Sequence, residues 1–362
     1  MKILIACGGT GGHIFPAVSV AQELKKDSKN EIIFITTKKS RDKDILVKTA
    51  NNVHAITIAP MPTKIGLGFF MFGGKFIIGL FQSLHLILRS RPDVVAGFGG
   101  YVCGPVVMAG KFLGKPTLIH EQNVYPGRAN KFVAGFADKI ALSFEDTKKY
   151  LKKGDFFVSG NPIRKEFETT QRDEARKKLG IENGEFNILI MGGSQGSHKI
   201  NTIAPEAIKE IKGSFGNICV THITGKDDEE IVKEKYRQIN VPHLVYPFLA
   251  NIWYAIKAAD LVVARSGASS ITEFAASGLV SIFIPYPYAL AHQKQNALVL
   301  KNQNACEIID DSELTKETLK EKIAELIKDR NRASRMGENI KKFYNADSSK
   351  IIAEEIINLG TR

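Results

Sequence analysis

The 362-residue chain contains few cysteines, and these lie far apart in the sequence. Cys7, Cys103, Cys219 and Cys306 form no CxxC pair and no spacing typical of a metal site. We therefore expect a reduced, cytosolic protein. We also expect that it needs no metal or other cofactor. The first apolar run begins directly after Met1, so we expect no signal peptide before it. The chain also lacks a GxxxxGK[ST] motif, which argues against a P-loop kinase or ATPase.

Acidic residues are too few to balance the basic ones. The 38 Asp and Glu residues against 50 Lys and Arg residues give a formal net charge of +12, which favours polyanionic partners such as nucleic acid, acidic lipid headgroups or phosphorylated substrates. Because the basic residues are dispersed and no nucleic-acid-binding module is visible, we expect lipid or phosphate rather than nucleic acid. A generally basic proteome would give the same balance, and this alternative stays open.

Short apolar runs alternate with amphipathic stretches along the whole chain, a pattern that predicts parallel sheets covered by helices. With 44% hydrophobic residues and this length, the chain can bury two cores. The predicted strands are 2–6, 31–36, 53–58, 93–96, 116–120, 139–142, 156–158, 186–191, 217–223, 243–246, 260–264 and 280–284. The predicted helical stretches include 17–26, 76–89, 202–212, 229–237, 314–328 and, at the end, 347–358.

The opening of the chain is repeated near its middle. Ile3-Leu4-Ile5-Ala6, followed by glycines and a hydroxyl residue, recurs as Ile188-Leu189-Ile190-Met191 before Gly192-Gly193-Ser194. Two such strand–glycine-loop–helix openings predict two Rossmann-like domains, joined near Gly160–Arg164. From the residues themselves, the last helical stretch can pack on either domain.

The first glycine loop, Gly8-Gly9-Thr10-Gly11-Gly12-His13, is the strongest candidate site. It is not a dinucleotide fingerprint, because Ile14 stands where the third glycine would be and the second predicted strand carries no acidic residue at its end. A helix start presents unpaired N–H groups and a positive dipole end, and His13 can act there as a base near neutral pH. The alternative, a tight turn with a capping residue, needs fewer glycines and no histidine.

Three further turns follow predicted strands, where open α/β sheets bind ligands. Main-chain N–H groups and the Ser194 hydroxyl in the third turn suit a diphosphate at a helix start. The polar residues of the second turn can also be there for solvation. The turns are Gly97–Tyr101, His120–Asn123 and Gly192–Gly196.

Two acidic motifs each have a plain structural interpretation. Ser270 and Glu273 have the spacing of a capping box, in which the glutamate satisfies a backbone N–H; alternatively, Glu273 accepts both hydroxyls of a ribose. Asp42-Lys43-Asp44 has the DxD spacing of metal-dependent sugar transferases. It lies in a charged stretch without an apolar frame, so we interpret it as solvated surface and expect no metal site.

Residues 65–88 form a long apolar segment that raises the question of a membrane span. Lys75, Gln82, His85 and several glycines interrupt it, so we expect no spanning helix. We interpret residues 76–88 as a core-facing helix of the first domain.

The beginning of that segment is harder to bury. An exposed apolar tip with basic neighbours can sit in a bilayer interface, whereas the same aromatics can also pack in a core. Both interpretations stay open at this point. The tip consists of Phe69, Phe70, Met71 and Phe72, flanked by Lys64 and Lys75.

Taken together, these motifs resemble the MurG-type transferases, which move N-acetylglucosamine from its UDP derivative onto the lipid-linked muramyl-pentapeptide of bacterial cell-wall synthesis. The chain departs from the family pattern at Ser197-His198-Lys199, where the family often has Ala-Arg, and in the individual Pro285–Tyr288 loop. The shared motifs are GGTGGH (Gly8–His13), GFGGY and GP (Gly97–Tyr101, Gly104-Pro105), HEQN, PG and N (His120–Asn123, Pro126-Gly127, Asn130), GNPxR (Gly160–Arg164), GGSQG and N (Gly192–Gly196, Asn201), RSGA and E (Arg265–Ala268, Glu273), and HQ with NA (His292-Gln293, Asn296-Ala297).

The resemblance implies an α/β fold of the glycosyltransferase B type, with two Rossmann-like domains whose parallel sheets face each other across a cleft. It implies an acceptor-side and membrane-facing domain of residues 1–161 and a UDP-sugar-binding domain of residues 162–345. The last helix, about residues 346–362, would cross back onto the first domain.

The resemblance also implies roles for individual residues. His13 would be the catalytic base, Leu249 would meet the uracil through its backbone, and Glu273 would bind the ribose. Ser194 and Arg164 would bind the diphosphate, and Asn123 and Gln293 the sugar. The further donor contacts would be Thr10, Gly11, Gly12, Ala268, Ser269, Ser270, Ile271 and Thr272, and the acceptor side would hold Gly99, Gly100, Tyr101 and Asn130.

The expected activity is an inverting transfer from UDP-N-acetylglucosamine to the 4-hydroxyl of the muramyl sugar, by a peripheral protein on the cytoplasmic face of an anionic bacterial membrane. Two alternatives belong to other classes. A nucleotide-sugar epimerase would share the twin-domain form but would need no membrane surface. A non-catalytic, nucleotide-dependent scaffold would have no use for His13.

Overall fold

The computed structural model describes residues 1–62, 67–193, 195–288 and 292–361. It divides into two compact units, Met1–Arg164 with Asn345–Arg362, and Lys165–Tyr344. The sequence predicts the junction between residues 161 and 162, three residues earlier. Lys64 and Ser194, two of the predicted site residues, lie outside the described residues.

The first unit is built on a parallel sheet with the strand order β3-β2-β1-β4-β5-β6-β7 in its described part. Runs such as Ile3-Leu4-Ile5 are fully buried, as expected for strands covered by helices on both faces. The strands are β1 (Lys2–Ala6), β2 (Glu31–Thr37), β3 (Asn52–Ile56), β4 (Val94–Gly97), β5 (Thr117–Glu121), β6 (Lys139–Leu142) and β7 (Phe156–Val158), and the helices before residue 165 are α1 (Gly11–Leu24), α2 (Ser40–Leu46), α3 (Leu67–Ser90), α4 (Cys103–Phe112) and α5 (Arg128–Val133).

The second unit repeats the design with a parallel sheet of order β10-β9-β8-β11-β12-β13 in its described part. Its own core includes Ile188, Ile190, Ile208 and Val263. Its elements are α6 (Glu166–Thr169), α7 (Arg172–Leu179), β8 (Phe186–Met191), α8 (His198–Phe215), β9 (Ile218–Ile223), α9 (Glu229–Gln238), β10 (His243–Tyr246), α10 (Ile252–Ala258), β11 (Leu261–Ala264), α11 (Ala268–Ala275), β12 (Val280–Phe283), α12 (His292–Asn302), β13 (Glu307–Ile308), α13 (Lys316–Lys328) and α14 (Arg330–Lys341).

The last helix, α15 (Ser348–Gly360), belongs to the first unit. Its buried residues Ile352, Ile356 and Leu359 share a core cluster with Ile3 and Ala17. The chain therefore returns to its first sheet after completing the second.

Two helices differ from the sequence prediction in a way that matters for function. α1 begins at Gly11 rather than near residue 17, so His13 lies in its first turn. The interpretation of residues 76–88 as a core-facing helix is wrong for one face of α3, where Ile77, Phe81 and Leu88 are exposed. The opposite face is attached to the unit, since the Gln82 side-chain oxygen accepts a hydrogen bond from Thr57 N–H at 2.7 Å.

Candidate active site

The first candidate site lies at the carboxyl edge of the first sheet. β1, β4 and β5 are neighbours in that sheet, so the loops that follow them meet at one edge, where open α/β sheets bind ligands. These loops carry Gly8–His13, Gly97–Tyr101 and His120–Asn123. The structure thus brings together three motifs that are far apart in the sequence.

His13 is closely packed between two of these loops. Its Nδ1 atom lies 3.1 Å from Thr10 Oγ1. Gly99 and Gly100 both have positive φ, and a Cβ atom on Gly99 would come within 2.6 Å of the His13 ring. A Cβ atom on Gly100 would lie 2.3 Å from the Gly8 carbonyl oxygen. The glycines are therefore required so that the second loop can fit against the first loop and the imidazole.

Tyr101 lies against the same loop, and Arg164 lies against the helix α1 that follows it. The Tyr101 ring lies 3.2 Å from the position that a Gly9 Cβ would occupy. The Arg164 guanidinium lies over the Phe15 ring, with its carbon 4.3 Å from the ring centroid, an arrangement in which the ring face attracts the cation. Both residues belong to the first unit, and both are among the site residues predicted from the sequence.

His120 has a structural position rather than a catalytic one. It is fully buried, and burial lowers its pKa to about 4, so the ring is neutral near pH 7. Its Nε2 atom lies 3.2 Å from the Gly160 carbonyl oxygen, which can only accept, so Nε2 carries the proton. Nδ1 then accepts from the Gln122 amide nitrogen at 3.1 Å, which also donates to the Phe98 carbonyl at 2.9 Å.

Glu121 organises the loop that carries Asn123. Its buried carboxylate accepts from the N–H groups of Asn123 at 2.8 Å and Gly127 at 2.9 Å, and from the Asn130 amide at 2.9 Å. Burial raises the pKa of this carboxyl, although these hydrogen bonds oppose the shift. Asn130, predicted on the acceptor side, is 3% exposed and also donates to the His120 carbonyl. The structure gives it an internal position beneath the loop, whereas Asn123 is half-buried.

The interpretation of Asp42 as solvated surface is wrong. Asp42 is 3% exposed, and its Oδ2 atom accepts from Gly9 N–H at 2.7 Å and from the Thr37 hydroxyl at 2.6 Å. In the sequence, this residue is marked only by its charged neighbours. The order of the strands indicates the burial of Asp42, because the turn after β2 lies beside the loop after β1 in a doubly wound sheet.

The second candidate site lies at the corresponding edge of the second sheet. The loop Gly192–Gly196 follows β8, and α8 begins at His198 with no side-chain cap on its first turn. A Cβ atom on Gly196 would lie 1.9 Å from the Thr224 carbonyl oxygen, so this loop is pressed against the turn after β9. The unpaired N–H groups of a helix start favour an anion there.

The geometry of α11 tests the capping interpretation of Glu273. The helix begins at Ala268 with Gly267 as its N-cap, and no side chain caps it. Ser270 is therefore inside the helix and cannot be the first residue of a capping box, which removes that interpretation. Ala268, Ser269, Ser270, Ile271 and Thr272 form the first turn and a half of this helix, and Glu273 is half-buried on it.

Arg265 connects three loops around this edge, a role that the sequence did not reveal. It is 9% exposed and donates to Asp311 Oδ1 at 2.6 Å, to Ser197 Oγ at 2.9 Å and to the Ile284 carbonyl at 3.0 Å. Ser197 is one of the positions that depart from the family pattern. The next position, His198, lies 2.9 Å from Asp228 through its Nδ1 atom.

Gln293 and Leu249 lie on two further loops of the second unit. The Gln293 side-chain oxygen accepts from Tyr286 N–H at 2.9 Å, which fixes the individual Pro285–Tyr288 loop to the start of α12. The Ser266 hydroxyl donates to the Gln293 carbonyl at 2.9 Å. Leu249 is half-buried in the loop after β10.

A metal centre finds no support in the described part of the chain. Within residues 1–62, 67–193, 195–288 and 292–361, no group of three or more His, Cys, Asp and Glu side chains is placed to hold a metal ion. The four cysteines are free and buried. Burial raises the pKa of the thiols of Cys103, Cys219 and Cys306 to about 12.

Comparison with known proteins identifies relatives along the whole chain. The N-terminal domain of glycosyltransferase family 28 matches residues 3–142, and the C-terminal domain of the same family matches residues 187–351. The chain is 37% identical to a UDP-N-acetylglucosamine--N-acetylmuramyl-(pentapeptide) pyrophosphoryl-undecaprenol N-acetylglucosamine transferase from Geobacter sulfurreducens. That match covers 99% of this chain and 98% of the relative.

Solved structures show the same pattern. The crystal structure of MurG from Acinetobacter baumannii is 27% identical, with a TM-score of 0.78 and 99% coverage of both chains. A UDP-GlcNAc 2-epimerase from Neisseria meningitidis, bound to UDP-GlcNAc, reaches a TM-score of 0.73 over 99% of this chain and 100% of its own. It is only 14% identical, so that likeness concerns the fold.

Proposed function

Since the chain belongs to the family 28 glycosyltransferases of the UDP-N-acetylglucosamine–N-acetylmuramyl-(pentapeptide) pyrophosphoryl-undecaprenol N-acetylglucosamine transferase type, we propose a specific reaction and mechanism for it. The protein is a glycosyltransferase that uses UDP-N-acetylglucosamine. The acceptor is the 4-hydroxyl of the muramyl sugar in undecaprenyl-diphosphate-linked muramyl-pentapeptide, and the linkage is inverted. The observation that carries this proposal is identity of 37% across 99% of the chain.

His13 is the proposed base. A sugar hydroxyl is a poor nucleophile at pH 7, so its proton must be accepted as it attacks the anomeric carbon. The support for His13 is its position in the first turn of α1, where Thr10 Oγ1 lies 3.1 Å from Nδ1 and the Gly99–Gly100 backbone lies against the ring. Attack from the face opposite UDP inverts the anomeric configuration.

The leaving UDP gains negative charge as the bond breaks. We assign its stabilisation to Arg164 and to the main-chain N–H groups at the start of α8, which act without a metal ion. Glu273 binds the ribose hydroxyls, and Leu249 meets the uracil through its backbone. Asn123 and Gln293 bind the transferred sugar. The remaining proposed donor contacts are Thr10, Gly11, Gly12 and the first residues of α11.

The proposed place of action is the cytoplasmic face of the bacterial membrane. α3 offers an apolar face for peripheral binding, on which Phe70 is 75% exposed, Ile77 54% and Phe81 66%. Gly68–Ser90 is long and apolar enough to cross a membrane by length and composition. Because Gln82 attaches the opposite face to Thr57, we assign the helix to the bilayer surface.

The test is a transfer assay with UDP-N-acetylglucosamine and the lipid-linked muramyl acceptor. The expected product is the lipid-linked disaccharide, formed at full rate in the presence of EDTA. Incubation of UDP-N-acetylglucosamine without acceptor is the control, because an epimerase would convert it to another sugar nucleotide. Such conversion without transfer would refute the proposal.

A further inference from the structure

We propose that Asp42 is a positioning residue for the catalytic base, although it touches neither substrate. Its carboxylate holds the turn Gly8–Gly9 in place, and that turn leads directly into the helix start that carries His13. The inference rests on the role proposed above for His13. It concerns the first unit only.

The loop needs a support of this kind because of its composition. Four of the six residues from Gly8 to His13 are glycines, and glycine leaves the backbone freer than any other residue. Gly9 also adopts a φ of +91°. A loop of this composition keeps one conformation only where its surroundings impose it.

Asp42 supplies that constraint from below the loop. Its Oδ2 atom accepts from Gly9 N–H at 2.7 Å and from the Thr37 hydroxyl at 2.6 Å. A buried carboxylate is costly unless it is hydrogen-bonded, and hydrogen bonds to an ionised acceptor are stronger than neutral ones. The same oxygen lies 3.2 Å from the position of a Gly8 Cβ, so the carboxylate lies directly under the turn.

The constraint reaches His13 through the second loop. The Gly8 carbonyl oxygen lies 2.3 Å from the position of a Gly100 Cβ, and the His13 ring lies 2.6 Å from the position of a Gly99 Cβ. A shift of Gly8 and Gly9 therefore changes the contact with Gly99 and Gly100 and, with it, the setting of the imidazole. A displacement of about 1 Å in a catalytic group can cost about 100-fold in rate.

The chain offers matched variants for a test. Asp42→Ala removes the acceptor. Asp42→Asn keeps one oxygen that can accept both hydrogen bonds. Asp44→Ala is the control, because Asp44 lies on the same helix and is exposed. Each is measured for turnover of a soluble acceptor at saturating substrates and for affinity toward UDP, whose uracil and ribose contacts are assigned to the second unit.

We expect Asp42→Ala to lower kcat about 10- to 100-fold, with a much smaller loss of UDP affinity, because only Thr10, Gly11 and Gly12 of the proposed donor contacts lie on this loop. Asp42→Asn should keep most of the rate, and Asp44→Ala should keep all of it. In a His13→Ala background, Asp42→Ala should cause no further loss, since residues that act through one another are not additive. Should Asp42→Ala not fold, Thr37→Val removes one of the two hydrogen bonds and should lower kcat by a smaller factor, again only when His13 is present.

Two results would overturn the inference. One is wild-type turnover in Asp42→Ala, and the other is an equal loss from Asp42→Ala with and without His13. Wild-type turnover in the single variant His13→Ala would instead refute the proposed base, so the two failures are distinguishable.

Discussion

At the scale of single residues, His13 is the side chain on which the proposed mechanism depends. We expect His13→Ala to lower kcat about 10²- to 10⁴-fold, the usual cost of removing a general base. UDP affinity should stay unchanged, because the nucleotide contacts are assigned to other residues. His85→Ala, at an exposed position of α3, is the control with a soluble acceptor. Near-normal turnover of His13→Ala would assign the base to another residue.

Glu273 offers a second test at this scale. A carboxylate that accepts ribose hydroxyls contributes charge-assisted hydrogen bonds of about 1.5–3 kcal/mol, so Glu273→Gln should weaken UDP binding roughly 10- to 100-fold. Because the capping interpretation is removed by the start of α11 at Ala268, the melting temperature should change little. Nucleotide titration and a melting curve measure both, with the exposed Glu230→Gln as control. Lower stability at full UDP affinity would place Glu273 outside the site.

Residue types near strand ends were predictable, but their burial was not. The glycine loops and His13 could be found because their composition exceeds what a turn needs. Asp42 could not be found from its charged neighbours, because its burial depends on Gly9 and Thr37. Asn130 was predicted on the acceptor side, and only the structure places its amide against Glu121 and His120.

At the scale of elements, α3 carries the surface on which the membrane proposal depends. The helix begins at Leu67, so the apolar tip lies within its first two turns and continues into an exposed stripe. Sequence periodicity could not show this, because an all-round apolar helix has no polar face to mark the solvent side. The strands were easier, since their buried apolar runs are short and bounded by turns; β13, with two residues, was too short to detect.

Replacing Phe69, Phe70 and Phe72 with serine tests that surface. We expect weaker binding to anionic vesicles, because less apolar surface enters the bilayer interface. Salt should weaken wild-type binding by screening Lys64 and Lys75, each worth about 1 kcal/mol near an anionic bilayer. Activity should fall on the long-chain acceptor and survive on a short, soluble one. Ile231→Ser, at an exposed apolar position on α9, is the control. Equal losses on both acceptors would contradict a membrane role for these aromatics.

At the scale of the whole molecule, each unit contains its own core and its own fully buried histidine. Burial lowers the pKa of His120 to about 4 in the first unit and that of His222 to about 3 in the second. His222 contacts Tyr236 and Asn201 at 3.0 Å. In the unfolded chain these histidines have an ordinary pKa of about 6.5. Between the folded pKa values and pH 6.5 they therefore bind protons in the unfolded chain but not in the folded protein. The contribution of these two histidines to stability is therefore fully present above pH 6.5 and is lost as the pH decreases toward the folded values.

The single tryptophan lets this prediction be assigned to one unit. Trp253 lies in α10, and the centroid of its ring is 6.3 Å from that of the buried Phe167 ring. Its fluorescence therefore reports unfolding of the second unit. Between pH 6.5 and 5, the unfolding free energy measured in urea should fall by up to about 1.4 kcal/mol per pH unit from His222. His222→Asn should make that slope shallower, whereas His120→Asn should leave the tryptophan-detected slope unchanged. An unaltered slope in His222→Asn would contradict a buried neutral histidine, and equal effects of both variants would mean that the two cores unfold together.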